Sequence, residues 1–182
     1  RQQLTLLSLM GFLVLMGTVV NNGIVFVISG PSGSGKGTVV DILREMYENA
    51  GVSVSATSRQ PRPGEVDGVN YHYKTREEFE ALIKNGEVLE YTEYCGNYYG
   101  TPKSFVRETL PHKSIIMEID VVGALNAKKE FPETVLVMVV PPSVEELRRR
   151  LSGRGSETEA QIQNRLERMA YELSHADEYD YV

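Results

Sequence analysis

Residues 23–46 read GIVFVISGPSGSGKGTVVDILREM, and the order of residue types in this stretch decides the fold. Gly23–Ser29 is a continuous apolar run dense in β-branched residues, the composition of a strand buried on both faces in a parallel sheet. From Thr38 onward apolar residues return at helical spacing. They predict a helix over 38–50, with Gly51 as its stop. Between the two lies a loop of glycines, serines and one lysine. Glycine lets consecutive backbone N–H groups converge with no Cβ in the way, and the following helix adds the positive end of its dipole. The stretch is therefore an anion nest placed between a strand and a helix.

Its spacing follows G-x-x-x-x-G-K-[ST] at Gly30, Gly35 and Lys36, but Gly37 stands where the hydroxyl belongs and Thr38 comes one place late. Gly30, Pro31, Ser32, Gly33, Ser34, Gly35, Lys36, Gly37 and Thr38 are assigned to the phosphates of ATP. Lys36 is expected to reach the β- and γ-phosphates and to follow the group in transfer.

The rest of the chain alternates in the same manner. Val52–Thr57 alternates in polarity and reads as a strand. Residues 59–70 are rich in Pro, Gly and charge and read as a loop, and Tyr71–Tyr73 as a short strand. Thr75 and Glu78 form a capping box for a helix to about Asn85, closed by Gly86. Residues 87–101 suggest two strands around a turn at Gly96–Asn97, and Pro102 suits the first turn of the next helix. Ser114–Asp120 and Thr134–Val140 are two more buried-strand runs. Ser143 and Glu146 form a second capping box, opening a helix to Leu151. A polar, glycine-punctuated stretch from Gly153 is a candidate lid. A helix over Glu159–Ala176 puts Leu166, Met169, Ala170 and Leu173 on one face, and Tyr179–Val182 reads as a strand. The expectation is a three-layer α/β fold with a small antiparallel insertion at 59–101.

Composition narrows the function. The chain has 182 residues, 41% hydrophobic and 24% charged, enough for one well-cored domain. A net charge of −6 does not suit wrapping nucleic acid. A phosphate ligand must then meet local arginine clusters. One stands at Ser58–Tyr71, where Arg59 and Arg62, held by Pro61 and Pro63, can grip a phosphate dianion. Tyr71 and Tyr99 could add phenolic donors, and Glu65 is expected to order the turn. Cys95 is the single cysteine, so no intramolecular disulfide forms, which fits a reducing, cytoplasmic setting. His72, His112 and His175 lack metal-ligand spacing. The apolar leader Leu4–Val20 has three readings: a non-native extension ahead of a start at Met16, which is preferred, a membrane anchor, or a signal peptide.

The motifs GPSGSGKGT, RQPRPGEVDGVNY, GEVLEYTEYCGNYYGTP, MEID and PPSVEELRRRLSGRGSETEAQIQNRL, in this order, resemble guanylate kinase from about Gly23 to Val182. The resemblance implies a P-loop NTPase fold. It places a core at 23–58 and 102–182, a GMP-binding lobe at about 59–101 and a helical lid at about 148–165, with residues 1–22 outside the fold. It implies transfer of phosphoryl from ATP to GMP and dGMP, with Mg²⁺, in purine metabolism. Arg59, Arg62, Tyr71 and Tyr99 match the residues on the acceptor phosphate, and Ser55, Glu90, Thr101 and Asp120 those on guanine. Guanine presents N1–H and N2–H₂ donors that want a carboxylate, and adenine lacks both.

Lys36, Arg150, Arg154 and Arg165 match the catalytic cations, and Arg148 and Arg149 read as solvated charges. Mg²⁺ is expected to keep more of its waters, oriented by Glu118 and Asp120, with no direct protein ligand, while Thr38 binds phosphate. ATP and GMP are the expected partners, without nucleic acid or membrane, and the oligomeric state is open. Family members usually continue about 20 residues beyond the EYDYV end, past an Asn/Asp-containing segment, so part of the adenine pocket is expected to be missing. Two rivals stand beside this reading: a guanylate-kinase-like interaction module without activity, and a kinase for AMP or a pyrimidine monophosphate.

Overall fold

The computed structural model describes residues 23–46, 50–94, 96–152 and 159–182. The leader, Cys95 and the centre of the expected lid, with Arg154, lie outside them. The protein is α/β. The core sheet is parallel, in the order β2 (Gly51–Val52), β7 (Ile115–Glu118), β1 (Val25–Ser29), β8 (Val135–Met138). β1 sits at its centre, with Val27 in register with Met117 on one side and Leu136 on the other.

Every residue of β1 is buried, as its unbroken apolar run required. Successive side chains face opposite ways. Val25 and Val27 point into a cluster with Met117, Val121, Ala124 and Ala127, the last three on α4 (Val121–Glu130). Phe26 and Ile28 point the other way, onto Val40 and Leu43 of α1 (Lys36–Met46). Helix, sheet and helix form the three layers.

A second sheet, in the order β4 (His72–Tyr73), β3 (Ala56–Thr57), β6 (Asn97–Pro102), β5 (Val88–Tyr94), is antiparallel except for β3 with β4. α2 (Arg76–Lys84) covers it, with the Thr75–Glu78 capping box formed and Gly86 at φ +67° past the Asn85 cap. α3 (Lys103–Thr109) leads back to the core. α5 (Val144–Ser152) and α6 (Glu159–Ser174) pack on each other through Leu147, Leu151, Ile162 and Met169. Among the described residues no helix is long and apolar enough to cross a membrane.

The structure corrects several expectations. The alternating run 52–57 is two strands in two sheets. Ser53 N–H donates to the Ile116 carbonyl of the core (2.9 Å), while the Ser55 carbonyl already accepts from His72 N–H of the second sheet (2.8 Å). Gly51 opens β2 and does not cap α1. Pro102 closes β6 and stands as the N-cap of α3, one place before its first turn. The Ser143–Glu146 box is half formed. Ser143 Oγ accepts from Glu146 N–H (3.1 Å), but the Glu146 carboxylate turns to Arg149 and Arg150 (both 2.7 Å), stronger partners than a backbone amide. On α6 Ala170 is exposed, and the packed stripe is Ile162, Leu166, Met169 and Leu173. Tyr179–Val182 contributes only a bridge, Tyr181 beside Val137 of β8.

Candidate active site

The C-terminal end of β1 delivers the chain into the glycine loop. Gly30 takes φ +133°, and a Cβ there would lie 2.1 Å from the Val139 carbonyl oxygen, so only glycine fits beside β8. Ser34 N–H donates to the Pro31 carbonyl at 3.0 Å and closes the turn. Lys36 is the first residue of α1, and its Nζ donates to the carbonyls of Gly30 (2.7 Å) and Pro31 (3.1 Å). The lysine thus lies folded along the rim of its own loop. The helix dipole and the loop amides point at the same space.

Two helices bring arginines to this loop. Arg150, on α5, donates to the carbonyls of Gly33 (3.3 Å) and Ser34 (3.2 Å). Arg165, on α6, donates to Ser32 Oγ. A groove of about 1030 Å³ runs along residues 32–39 and is bordered by Glu118, Arg149 and Arg150. The sequence reading treated Arg149 only as a solvated charge, whereas it also edges this groove.

Beside the loop lies a second cavity of about 370 Å³, between the two sheets. Gly30, Ser32, Lys36 and Arg165 line one end, and Ser55, Tyr71, Glu90, Tyr99 and Asp120 the other. These residues are far apart in sequence, and the fold gathers them in one space. Glu90 is only 7% exposed and accepts from the Thr101 hydroxyl at 2.8 Å. Burial, with the nearby Asp120 charge, pushes its pKa up to about 7. Its Thr101 partner stands behind it, outside the cavity lining.

Asp120 caps α4: one carboxylate oxygen accepts from Gly123 N–H at 2.9 Å. Glu118, at the end of β7, faces the loop, 3.8 Å from where a Cβ on Gly37 would sit. Desolvation by the cleft walls raises its pKa, against the attraction of Lys36.

The arginine turn is organised by Glu65. It accepts a fork from Arg59 (2.9 and 3.0 Å), the backbone N–H of Arg62 (2.6 Å) and the hydroxyl of Tyr73 (2.8 Å). These donors, Arg59 first, hold its pKa at about 2, and the Glu65 carboxylate in turn raises that of Arg59 above its ordinary value. The Arg59 guanidinium also lies 5.4 Å from the Tyr71 ring centre. Arg59 and Arg62 stand outside the cavity lining, with the Arg62 side chain exposed.

Sequence reasoning missed Arg168, Met169 and Glu172, which line the cavity with Arg165. The signal was present: 165, 168, 169 and 172 follow i, i+3, i+4, i+7, the spacing of one helix face. Once Arg165 is placed at the loop, its neighbours on that face follow. It missed Thr92 as well, a strand residue with no such signal.

No group of His, Cys, Asp or Glu among the described residues could hold a metal ion directly. The site instead offers a nest for polyphosphate, arginines around it, and a buried carboxylate across a shared cavity.

The family model described as guanylate kinase matches residues 23–182. The guanylate kinase of Desulfitobacterium hafniense is 48% identical over 163 residues, covering 89% of this chain and 82% of that one. That of Halalkalibacterium halodurans is 53% identical over 161 residues, covering 88% and 79%. The crystal structure of guanylate kinase from Anaplasma phagocytophilum superposes with a TM-score of 0.68 at 35% identity, covering 89% of this chain and 76% of that one. Matches of this extent take in the loop, the arginine turn and the Glu90 strand alike, and the chain belongs to the guanylate kinase family.

Proposed function

We propose that the protein transfers the γ-phosphoryl group of ATP to GMP, and to dGMP, giving ADP and GDP or dGDP, in purine nucleotide metabolism. The observation that carries this is Glu90: a buried carboxylate, backed by Thr101, in the same cavity as the phosphate loop. A carboxylate here complements the N1–H and N2–H₂ edge of guanine. AMP would leave it desolvated and unpaired, and a site built to hydrogen-bond rejects the analogue that lacks the partner strongly.

The loop amides hold the β- and γ-phosphates, and Lys36 leaves the Gly30 and Pro31 carbonyls for the oxygens in transfer. Arg59, Arg62, Tyr71 and Tyr99 take the GMP phosphate, with Arg59 aimed by Glu65. Ser55, Glu90, Thr101 and Asp120 fix the base. An oxygen of the GMP phosphate attacks the γ-phosphorus as the bond to the β,γ-bridging oxygen of ATP breaks, and the electrons of that bond leave on ADP. Arg150, Arg154 and Arg165 neutralise the charge spread over the equatorial oxygens.

Mg²⁺ fits the site through water. Glu118 is exposed beside the loop, where it would orient water around the ion, and Gly37 would offer the ion no hydroxyl. When bound, the ion would supply positive charge to offset that of the ATP phosphates. Asp120, also expected in that role, has one oxygen on the cap of α4 and the other on an arginine of α6.

The test is ADP formation from ATP and Mg²⁺ with GMP, dGMP, AMP, CMP and UMP in parallel, with Lys36→Ala as control. Turnover confined to the guanine nucleotides and lost in the control is expected. Turnover with AMP would overturn the base assignment. GMP binding without turnover in the intact protein would favour an interaction module.

A further inference from the structure

The base end and the loop end of the cavity are joined by one helix. α6 presents Arg165, Arg168, Met169 and Glu172 along a single face. Arg165 reaches Ser32 in the phosphate loop. One turn on, Arg168 donates from Nη2 to Oδ2 of Asp120 (3.0 Å) and from Nε to Oε1 of Glu172 (3.3 Å). The other Asp120 oxygen is held by Gly123 N–H, so both oxygens of this carboxylate are fixed, one by α4 and one by α6. Asp120 is also a charge close enough to Glu90 to act on it.

The Arg168–Asp120 pair is half exposed on the arginine side, at 51% against 22%. Such a pair contributes little to folding, so what it sets is the direction of a carboxylate. It has a steric role too. Asp120, Arg168 and Glu172 line both the substrate cavity and an outer recess of about 310 Å³ that also meets Val121, Val122 and Tyr171. Arg168 therefore stands in the wall between the base end of the cavity and the outside.

We propose that Arg168 is a positioning residue for the acceptor base: it holds Asp120 against the base edge and closes the wall behind it, so that the helix bearing Arg165 also orders the guanine site. This rests on the GMP reading of the cavity. Arg168 touches Asp120 and does not take part in the transfer itself. Its removal acts on the acceptor nucleotide and spares ATP, whose groove along residues 32–39 it does not border.

The experiment is a double-mutant cycle read by GMP calorimetry and by steady-state KM for each substrate. Arg168→Gln is expected to raise the GMP Kd about tenfold while the ATP KM stays within about twofold. Arg168→Lys, which keeps the charge but loses the guanidinium that holds Asp120 and Glu172 together, is expected to fall between. Asn at 120 still caps α4. In the Asp120→Asn background the Arg168→Gln change should therefore add less than about twofold, because its effect runs through that carboxylate.

The inference falls if Arg168→Gln leaves the GMP Kd within about twofold of the unaltered protein. It also falls if GMP and ATP weaken together, or if the effects of the two substitutions simply add. Unaltered protein that binds no GMP overturns the functional reading and this inference together. Unaltered protein that binds GMP, beside a variant that binds it equally well, overturns this inference alone.

Discussion

Gly123 stands directly against Glu90: a Cβ on Gly123 would lie 2.7 Å from Cγ and 3.0 Å from Cδ of that side chain. The first turn of α4 must be bare at this point for the buried carboxylate to keep its place. Alanine is the better helix former by up to about 1 kcal/mol, so propensity alone favours the substitution. Contact decides against it, because Glu90 is enclosed and can retreat only into the cavity. Gly123→Ala is expected to raise the KM for GMP by about tenfold or more with the KM for ATP nearly unchanged. Parallel steady-state kinetics check this, and an unchanged GMP KM would show that Glu90 yields freely.

Glu90 also makes stability depend on pH. Its carboxyl binds a proton more tightly in the folded chain, with a pKa near 7, than in the unfolded chain. The sign follows: its contribution is fully present below the ordinary carboxylate range and is lost as pH rises through about 7. The loss is at most about 3 kcal/mol for a shift of this size. Glu90→Gln cannot ionise and still accepts from Thr101. Thermal melts should place the variant several degrees above the unaltered protein at pH 8, at roughly 2–4 °C per kcal/mol, with the gap closing near pH 5. Coincident melting curves at pH 8 would refute it.

The same group ties base recognition to pH. Only the ionised carboxylate accepts from both guanine donors. For the unaltered protein kcat/KM for GMP is expected to fall by up to about tenfold per unit as pH drops below about 7. The fall should be absent from the low residual activity of Glu90→Gln. A flat profile between pH 6 and 8 would separate Glu90 from the base.

Glu65 offers a different test, because it touches no cavity surface. Its carboxylate is the common acceptor for Arg59, Arg62 N–H and Tyr73. Glu65→Gln keeps the shape but loses the charge-assisted fork. An increase of about tenfold in GMP KM, with kcat lowered less, is the expected result. GMP and dGMP should be affected equally if, as proposed, the turn holds the phosphate and not the sugar. Kinetics matching the unaltered protein would mean that the prolines alone set the turn.

Arg150 spans both ends of the loop-to-lid contact, from Glu146 on its own helix to the Gly33 and Ser34 carbonyls. Arg150→Ala is expected to lower kcat by about 10²–10³ with GMP binding retained, the size seen when one donor to a developing oxyanion is removed. Stopped-flow turnover with separate GMP titration checks it. A loss confined to ATP KM would make Arg150 a ground-state binder.

What the sequence made legible was what is local. The β1–loop–α1 unit is continuous in the chain, and each of its parts carries its own signal: the apolar run, the glycines, the helical period. The Thr75–Glu78 cap and the β5–β6 hairpin are local in the same way. Arg168 and Glu172 were legible only through Arg165: they share its helix face, but in isolation they look like solvated charges on an amphipathic helix. Only tertiary packing turns that face inward, onto Asp120. The split of 52–57 was hidden for a related reason. Alternation reports that residues are extended and half buried, not that their hydrogen-bond partners change halfway along. Ala170 was misplaced by one helical position, since a 3.6-residue period assigns a stripe more surely than its margins.

The handover between Ser53 and Ser55 has a mechanical meaning. The amide of one is anchored in the core and the carbonyl of the other in the second sheet. Val54 stands between the two anchors, and the chain changes sheets across that single residue. Ser55, the far end of this link, also lines the cavity. The short link that joins the two sheets is therefore also part of the wall of the cavity between them.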